Sequence, residues 1–260
     1  MISSLSASIT PRNLNYLVVS PVRDEECYIE HTLHSMLRQT HKPVRWIIVD
    51  DGSSDSTLHI IDKFARQSDF IQVLRNPRRA SRQTGVAEIL AFNSGMLKAK
   101  GLAYDIIVKL DGDLSFEPDY FERLLLEFSR SADLGIASGT YMEQTGAAWQ
   151  EVALPYYHAA GACKVVRRAC FEAIGGFLAE RGWDTVDEIR AIARGWRTGH
   201  FSKLKMLHWK PEGTAIGLLH TNVMCGEIYF QTNEGSFFFL LKLLRRMLSR
   251  PLLIGGLTLG

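Results

Sequence analysis

Two carboxylates two positions apart close the segment Lys109-Leu110-Asp111-Gly112-Asp113. An extended backbone turns residues i and i+2 to the same face, so Asp111 and Asp113 aim at one point. Hard divalent cations such as Mg²⁺ and Mn²⁺ take oxygen ligands of that sort. A cation held there could bridge the phosphates of a nucleoside diphosphate and stabilise the charge that develops as it departs. An isolated Asp-Gly-Asp is more often a polar turn after a strand, so the surrounding segments decide. A calcium loop is excluded, because Leu114, Ser115 and Phe116 follow without the glycine and late glutamate that it requires. The first apolar run leads into Pro21-Val22-Arg23-Asp24-Glu25, which lacks the glycines of a dinucleotide fingerprint, and no P-loop is present.

The elements that must position these carboxylates alternate in type. Tyr16 to Ser20 reads as a buried strand, and Ile29, Leu33, Met36 and Leu37 recur at helical spacing. Trp46 to Val49 is a second strand that runs into Asp50-Asp51-Gly52-Ser53-Ser54-Asp55, where Asp55 is placed to cap the following helix. A strand near Ile71 to Leu74, a helix from about Gln83 to Lys98 and the strand Ile106 to Leu110 repeat the pattern. Such alternation predicts an α/β fold built on an open, mostly parallel sheet flanked by helices. In such a sheet ligands bind outside the carboxyl ends of the strands, where Pro21 to Glu25, Asp50 to Ser54 and Asp111 to Asp113 all fall. A helix is expected from Glu117-Pro118 to about Ser129 and a short strand around Gly135 to Ser138. Beyond these the segment is less regular and is expected to build the acceptor side.

The 260 residues suffice for one large domain, and 30 basic against 28 acidic residues give no global reason to expect nucleic acid as a partner. Cys27, Cys163, Cys170 and Cys225 form no C-x-x-C pair, so buried free thiols are expected rather than zinc or disulfides. Met1 to Asn15 is polar and reads as a flexible segment without the apolar core of a signal peptide. No apolar run reaches the ~18 residues of a spanning helix. A cytoplasmic protein, peripheral at the inner membrane face, is the expectation.

Three segments taken together carry a family resemblance. Ser20-Pro21-Val22-Arg23-Asp24-Glu25-Glu26, Ser35-Met36-Leu37-Arg38-Gln39-Thr40 and Ile48 through Thr57 resemble glycosyltransferase family 2. The likeness continues through Leu110 to Asp113, Gly161 to Arg168, Ile174-Gly175-Gly176-Phe177 and Asp184, covering residues 16 to about 210. It implies a GT-A fold over 16–225, with a nucleotide-sugar half at 16–130 and an acceptor half at 131–225. It also implies inverting transfer from a nucleotide sugar, a UDP-sugar first, to a hydroxyl acceptor such as a sugar or glycolipid. By the same resemblance Pro21, Arg23, Glu25 and Asp51 line the nucleotide pocket, Asp51 facing the base, whose uracil imide N–H suits a carboxylate. Asp111 is assigned to the ribose and diphosphate, and Asp113 to Mg²⁺ or Mn²⁺.

Inverting transfer needs a carboxylate to take the acceptor's proton. Gly182-Trp183-Asp184-Thr185-Val186-Asp187-Glu188 resembles the family's Glu-Asp segment, and counting back from Gly195-Trp196 aligns Asp184 with the base. Trp183 stands where that family has a glutamate, and Asp187, on the same helical face as Asp184, and Glu188 remain alternatives. Acidic residues at a helix start also answer the macrodipole. His208 resembles a histidine that completes the metal's ligand set in some relatives, where the imidazole must be neutral. Arg78, Arg79 and Arg82 either meet donor phosphates or form a solvated loop. The helical, apolar and basic segment 226–260, above all residues 236–250, suits a membrane interface, a core-docked helix or a homodimer contact. A nucleotide-sugar-binding module without catalysis and a nucleotidyltransferase are the rival functions.

Overall fold

The apolar run at Tyr16 forms β1 (Tyr16–Val22), in which every side chain except Pro21 is buried. Helices cover both faces of this strand, so it needs no polar alternation. α1 (Ile29–Leu37), β2 (Arg45–Asp50), α2 (Thr57–Ala65), β3 (Ile71–Arg75), α3 (Val86–Lys98) and β4 (Ile106–Leu110) follow as alternating elements. β1 pairs in parallel with both β2 and β4, and β2 with β3. This computed structural model describes residues 14–78, 85–146 and 148–210. The N-terminal segment 1–13, Arg79, Arg82, the first residues expected in α3, Cys225 and the segment 226–260 lie outside the described residues.

Strand periodicity divides the interior into two cores. Tyr16, Val18, Trp46, Ile48 and Val108 face one way, and Leu17, Val19, Ile47, Val49 and Ile107 the other. α4 (Tyr120–Arg130) covers the first core with Tyr120, Phe121, Leu124, Leu125 and Phe128, an apolar stripe at helical spacing. α3 covers the second with Ile89, Ala91 and Phe92. At the start of α2 the capping expectation shifts by one residue. Ser56 precedes the helix, while the Asp55 carboxylate accepts the N–H of Thr57 at 3.0 Å and that of Glu26 at 3.1 Å.

The second half is more regular than its sequence suggests. It comprises β5 (Leu114–Phe116), β6 (Leu134–Thr145), β7 (Ala148–Glu151), β8 (Cys163–Arg167), α5 (Arg168–Ile174), α6 (Trp183–Ile192) and β9 (Arg197–His208). β9 contains His200, Lys203 and Lys205 on partly or fully exposed positions, so no apolar run marks it. These strands also turn the expected mostly parallel sheet into a mixed one. β8 runs antiparallel to β4 and β6, β9 parallel to β6, and β5 antiparallel to β9. The order is β3-β2-β1-β4-β8-β6-β9-β5, with β7 paired to β6. Among the described residues no helix is long and apolar enough to cross a membrane.

A glycine holds the centre of this second half. The register between β6 and β9 shifts between Ser138 and Thr140, and a Cβ on Gly139 would stand 2.3 Å from the Leu204 carbonyl oxygen and 2.8 Å from the Tyr120 ring. The backbone oxygen cannot retreat without breaking strand pairing. Gly139→Ala is therefore expected to destabilise the fold by about 1–3 kcal/mol, read as a lower midpoint in thermal unfolding.

Candidate active site

The carboxyl ends of β1, β2 and β4 open into a cleft of about 150 Å³ lined by Pro21, Arg23, Glu25, Asp51, Glu88, Asp111 and Asp113, among others. Two loops that build its wall are laced together. Asp24, in the left-handed region at φ 54°, accepts the Ser54 N–H at 2.7 Å, and the Glu25 N–H donates to Thr57 Oγ1 at 2.7 Å. Burial would raise the Asp24 carboxyl, but the Ser54 hydrogen bonds and the charges of Arg78 and Arg23 outweigh it and hold the pKa below its usual value. Gly52, at φ 77°, lets the Arg78 backbone come within 2.4 Å of where its Cβ would be. The Arg78 guanidinium donates to the Gly52 carbonyl at 2.9 Å, so this arginine ties the loop that carries Asp51. Asp51 is buried and accepts a long 3.4 Å hydrogen bond from Asn76. Arg23 is also buried, with Nη1 lacking a partner among the described residues.

The floor of the cleft carries the two aspartates. Lys109, buried beneath it, pairs with Glu88 and with Asp111 at 2.6 Å, and donates to the Gly161 carbonyl at 3.1 Å. Enclosure by the walls pushes the Asp111 carboxyl up to about 8 against the pull of Lys109, although 29% of its side chain stays open to the cleft. Asp113 is 7% exposed, and its Oδ1 is buried without a hydrogen-bond partner. Its Oδ2 lies 3.5 Å from His208 Nε2, and His208 Nδ1 lies 2.9 Å from Glu143 Oε1. β5 and β9 create this meeting, since Leu114 pairs with His208 and the Trp209 N–H donates to the Asp113 carbonyl at 2.9 Å.

These residues fit a divalent cation in one specific way. Among the described residues no three His, Cys, Asp or Glu side chains stand close enough to enclose a metal by themselves. The orphaned Asp113 oxygen, on a carboxylate whose other oxygen lies 3.5 Å from His208, would suit a hard divalent cation whose remaining ligands came from phosphate oxygens and water. Burial alone would lower the pKa of His208, but Asp113 and Glu143 outweigh it and raise it to about 9. Metal-free, this imidazolium stabilises the fold fully below its ordinary value of 6.5 and loses that contribution as pH climbs through 9. The thermal midpoint of wild type in chelator, minus that of His208→Gln, is expected to shrink between pH 6.5 and 9.5. Because a ligand imidazole must be neutral, Mn²⁺ affinity is expected to rise over the same range.

Beside Gly161, whose carbonyl Lys109 holds, lies the first turn of α6. Gly182, at φ 73°, turns the chain in, and Trp183 is buried. Asp184 stays partly exposed, its carboxylate 3.4 Å from where a Cβ on Gly161 would stand. Asp187 and Glu188 are instead 2% and 1% exposed. Lys164 holds them at 3.0 and 3.2 Å, and Glu188 also accepts the Ala159 N–H at 2.8 Å. The three acids thus separate into one partly exposed beside Gly161 and two committed to a buried cation.

Residues 17–161, more than half of the chain, match the family described as Glycosyl transferase family 2. The chain belongs to glycosyl transferase family 2. An uncharacterized glycosyltransferase of Haemophilus influenzae is 29% identical over 124 residues, 48% of this chain and 46% of that relative. Among solved structures, the mannosyltransferase PcManGT from Pyrobaculum calidifontis, in complex with GDP-Man and Mn²⁺, aligns with a TM-score of 0.64 at 15% identity over 84% of this chain and 64% of its own. S. aureus TarS 1-349 in complex with UDP-GlcNAc gives 0.62 at 14% identity, over 86% and 68%. The fold is thus the GT-A type expected, while the chain spans less than half the length of the curated relatives it matches.

In this family 2 protein the cleft brings together Pro21, Arg23, Glu25, Asp51, Asp111 and Asp113, leaves Arg78 on the Gly52 carbonyl and Asp24, and His208 stands against Asp113. The structure adds four that sequence reasoning passed over: Glu88, Glu143, Lys109 and Lys164. Two carried a signal. Lys109 and Lys164 sit inside otherwise apolar strands, and a buried lysine demands an acidic partner. Cys163 and Cys170 are buried free thiols as expected, whereas Cys27 is exposed, because it lies in the loop before α1.

Proposed function

We propose that this chain transfers a sugar from a nucleotide-sugar donor to a hydroxyl acceptor with inversion, in a divalent-metal-dependent reaction. The orphaned oxygen of Asp113 at the floor of the cleft carries the reading, because a buried carboxylate oxygen without a donor is costly unless a cation meets it. Asp113 and His208 would hold the metal, with Asp111 beside the ribose and diphosphate. When bound, the metal supplies charge neutralisation to the diphosphate leaving group.

The protein's own groups supply the rest. Asp51 accepts from the base of the nucleotide, with uracil's imide N–H as the first assignment. Arg23, with a buried N–H to spare, offers a donor toward the diphosphate. The acceptor oxygen attacks the anomeric carbon on the face opposite the diphosphate. As that C–O bond forms, the bond from the anomeric carbon to the phosphate oxygen breaks and its electron pair leaves with the nucleoside diphosphate. Asp184 takes the acceptor's proton. Partial exposure supports Asp184 as this base, and the commitment of Asp187 and Glu188 to Lys164 argues against either.

The test is release of nucleoside diphosphate from UDP-GlcNAc, UDP-glucose, UDP-galactose and GDP-mannose, with Mn²⁺ and a panel of sugar and glycolipid acceptors. Metal-dependent release with an inverted glycosidic product supports the reading. Metal-dependent nucleotide binding without turnover of any donor would leave the catalytically inactive binding module instead.

A further inference from the structure

The cation behind the Asp184 wall plays no part in the chemistry above, yet its placement is unusual. Lys164 is fully enclosed and stands directly opposite Lys109 in the antiparallel β4–β8 pairing. Like charges facing each other across strands are unfavourable, so two buried lysines in register require compensation. Glu88 and Asp111 take Lys109, and Asp187, Glu188 and the Asp184 backbone carbonyl take Lys164. Both ammonium groups also lie 5.2 Å from the centre of the Trp183 ring, whose face attracts cations. Trp183, out of place as an acid, thus fits as the ring shared by two lysines.

The contacts of Lys164 form a frame around one residue. Its ammonium fixes the carbonyl of Asp184. Through Glu188 it reaches the Ala159 N–H and His158 Nδ1, the latter at 2.9 Å, at the start of the segment that ends at Gly161, beside the Asp184 carboxylate. A buried ion pair contributes little to stability over an apolar replacement, so stability alone does not account for this one. Resting on Asp184 as the base, we infer that Lys164 is a positioning residue for transfer: it fixes the first turn of α6 through the Asp184 carbonyl, occupies Asp187 and Glu188, and so holds the Asp184 carboxylate beside Gly161.

The charged and titratable groups around Asp184 are Lys164 from β8, Asp187 and Glu188 from α6, His158 from the preceding loop and Lys109 from β4, with Cys170 of α5 behind Asp187. Burial pushes the Asp187 carboxyl up to about 7 despite Lys164.

The experiment is the steady-state kcat and donor KM of wild type, Asp184→Asn, Asp187→Asn, Lys164→Met and the double variant Lys164→Met/Asp187→Asn. In both Lys164 variants kcat is expected to fall at least tenfold with donor KM unchanged, the split that follows when the base is displaced and the donor cleft is not. Asp187→Asn is expected to keep kcat within about threefold. The double variant carries no uncompensated carboxylate at 187, so it decides the matter should Lys164→Met fail to fold. If Asp184→Asn is inactive but the Lys164 variants keep the wild-type kcat, the inference fails and the base assignment stands. If Asp184→Asn retains turnover, the base assignment falls and takes the inference with it.

Discussion

Asp184→Asn is expected to lower kcat by about 10²–10⁴-fold, the range over which a positioned general base acts, with donor KM and metal-dependent nucleotide binding nearly unchanged. The amide keeps the shape beside Gly161 but cannot take a proton. The Asp184 backbone carbonyl, which Lys164 holds, is untouched, so α6 keeps its place and the loss is chemical. Asp187→Asn sets the contrast. Asp187 lies inside the protein with Lys164 on one oxygen, and its replacement is expected to keep kcat within about threefold at neutral pH. Steady-state kinetics on the two variants separate the residues that the sequence left as alternatives. Equal losses in both would contradict the assignment.

Asp113→Asn is expected to have the other large effect, abolishing the metal dependence of nucleotide binding and lowering turnover by at least about 10³-fold. An amide oxygen is a far weaker ligand for a hard cation than a carboxylate. The fold should survive, because the hydrogen bond from Trp209 goes to the Asp113 backbone carbonyl and His208 keeps Glu143 as a partner. Isothermal titration with Mn²⁺ and nucleoside diphosphate would report the loss, and equal affinity in wild type and variant would contradict it.

The donor half was legible because its strands are buried on both faces. Tyr16 to Val22 and Ile106 to Leu110 are almost continuous apolar runs that stop where the polar loops begin. The acceptor half hid its strands. β6 loses burial toward Thr145, and β9 mixes lysines and histidines with Leu204 and Met206, so a period of two was never clean. The mixed pairing was equally hidden, since nothing in β8 itself tells which way it runs. The site divides along the same line. Asp111 and Asp113 are close in sequence, and an extended backbone brings them together. The approach of His208 and Glu143 to Asp113 depends on β5, β6 and β9 pairing across long separations. Which acid of α6 stays partly exposed depended on Lys164, a residue read only as part of a resemblance.

The proposed donor site binds a nucleoside diphosphate through a cation held at Asp113. A thermal-unfolding titration with UDP and GDP, each with Mn²⁺ or with chelator, tests it in wild type and Asp113→Asn. A ligand at about 100 times its Kd stabilises the native state by ~2.7 kcal/mol, a shift easily resolved. The wild-type midpoint is expected to rise only when nucleotide and Mn²⁺ are both present, and the rise is expected to vanish in Asp113→Asn. No response to either nucleotide, or an equal rise in chelator and in the variant, would contradict it.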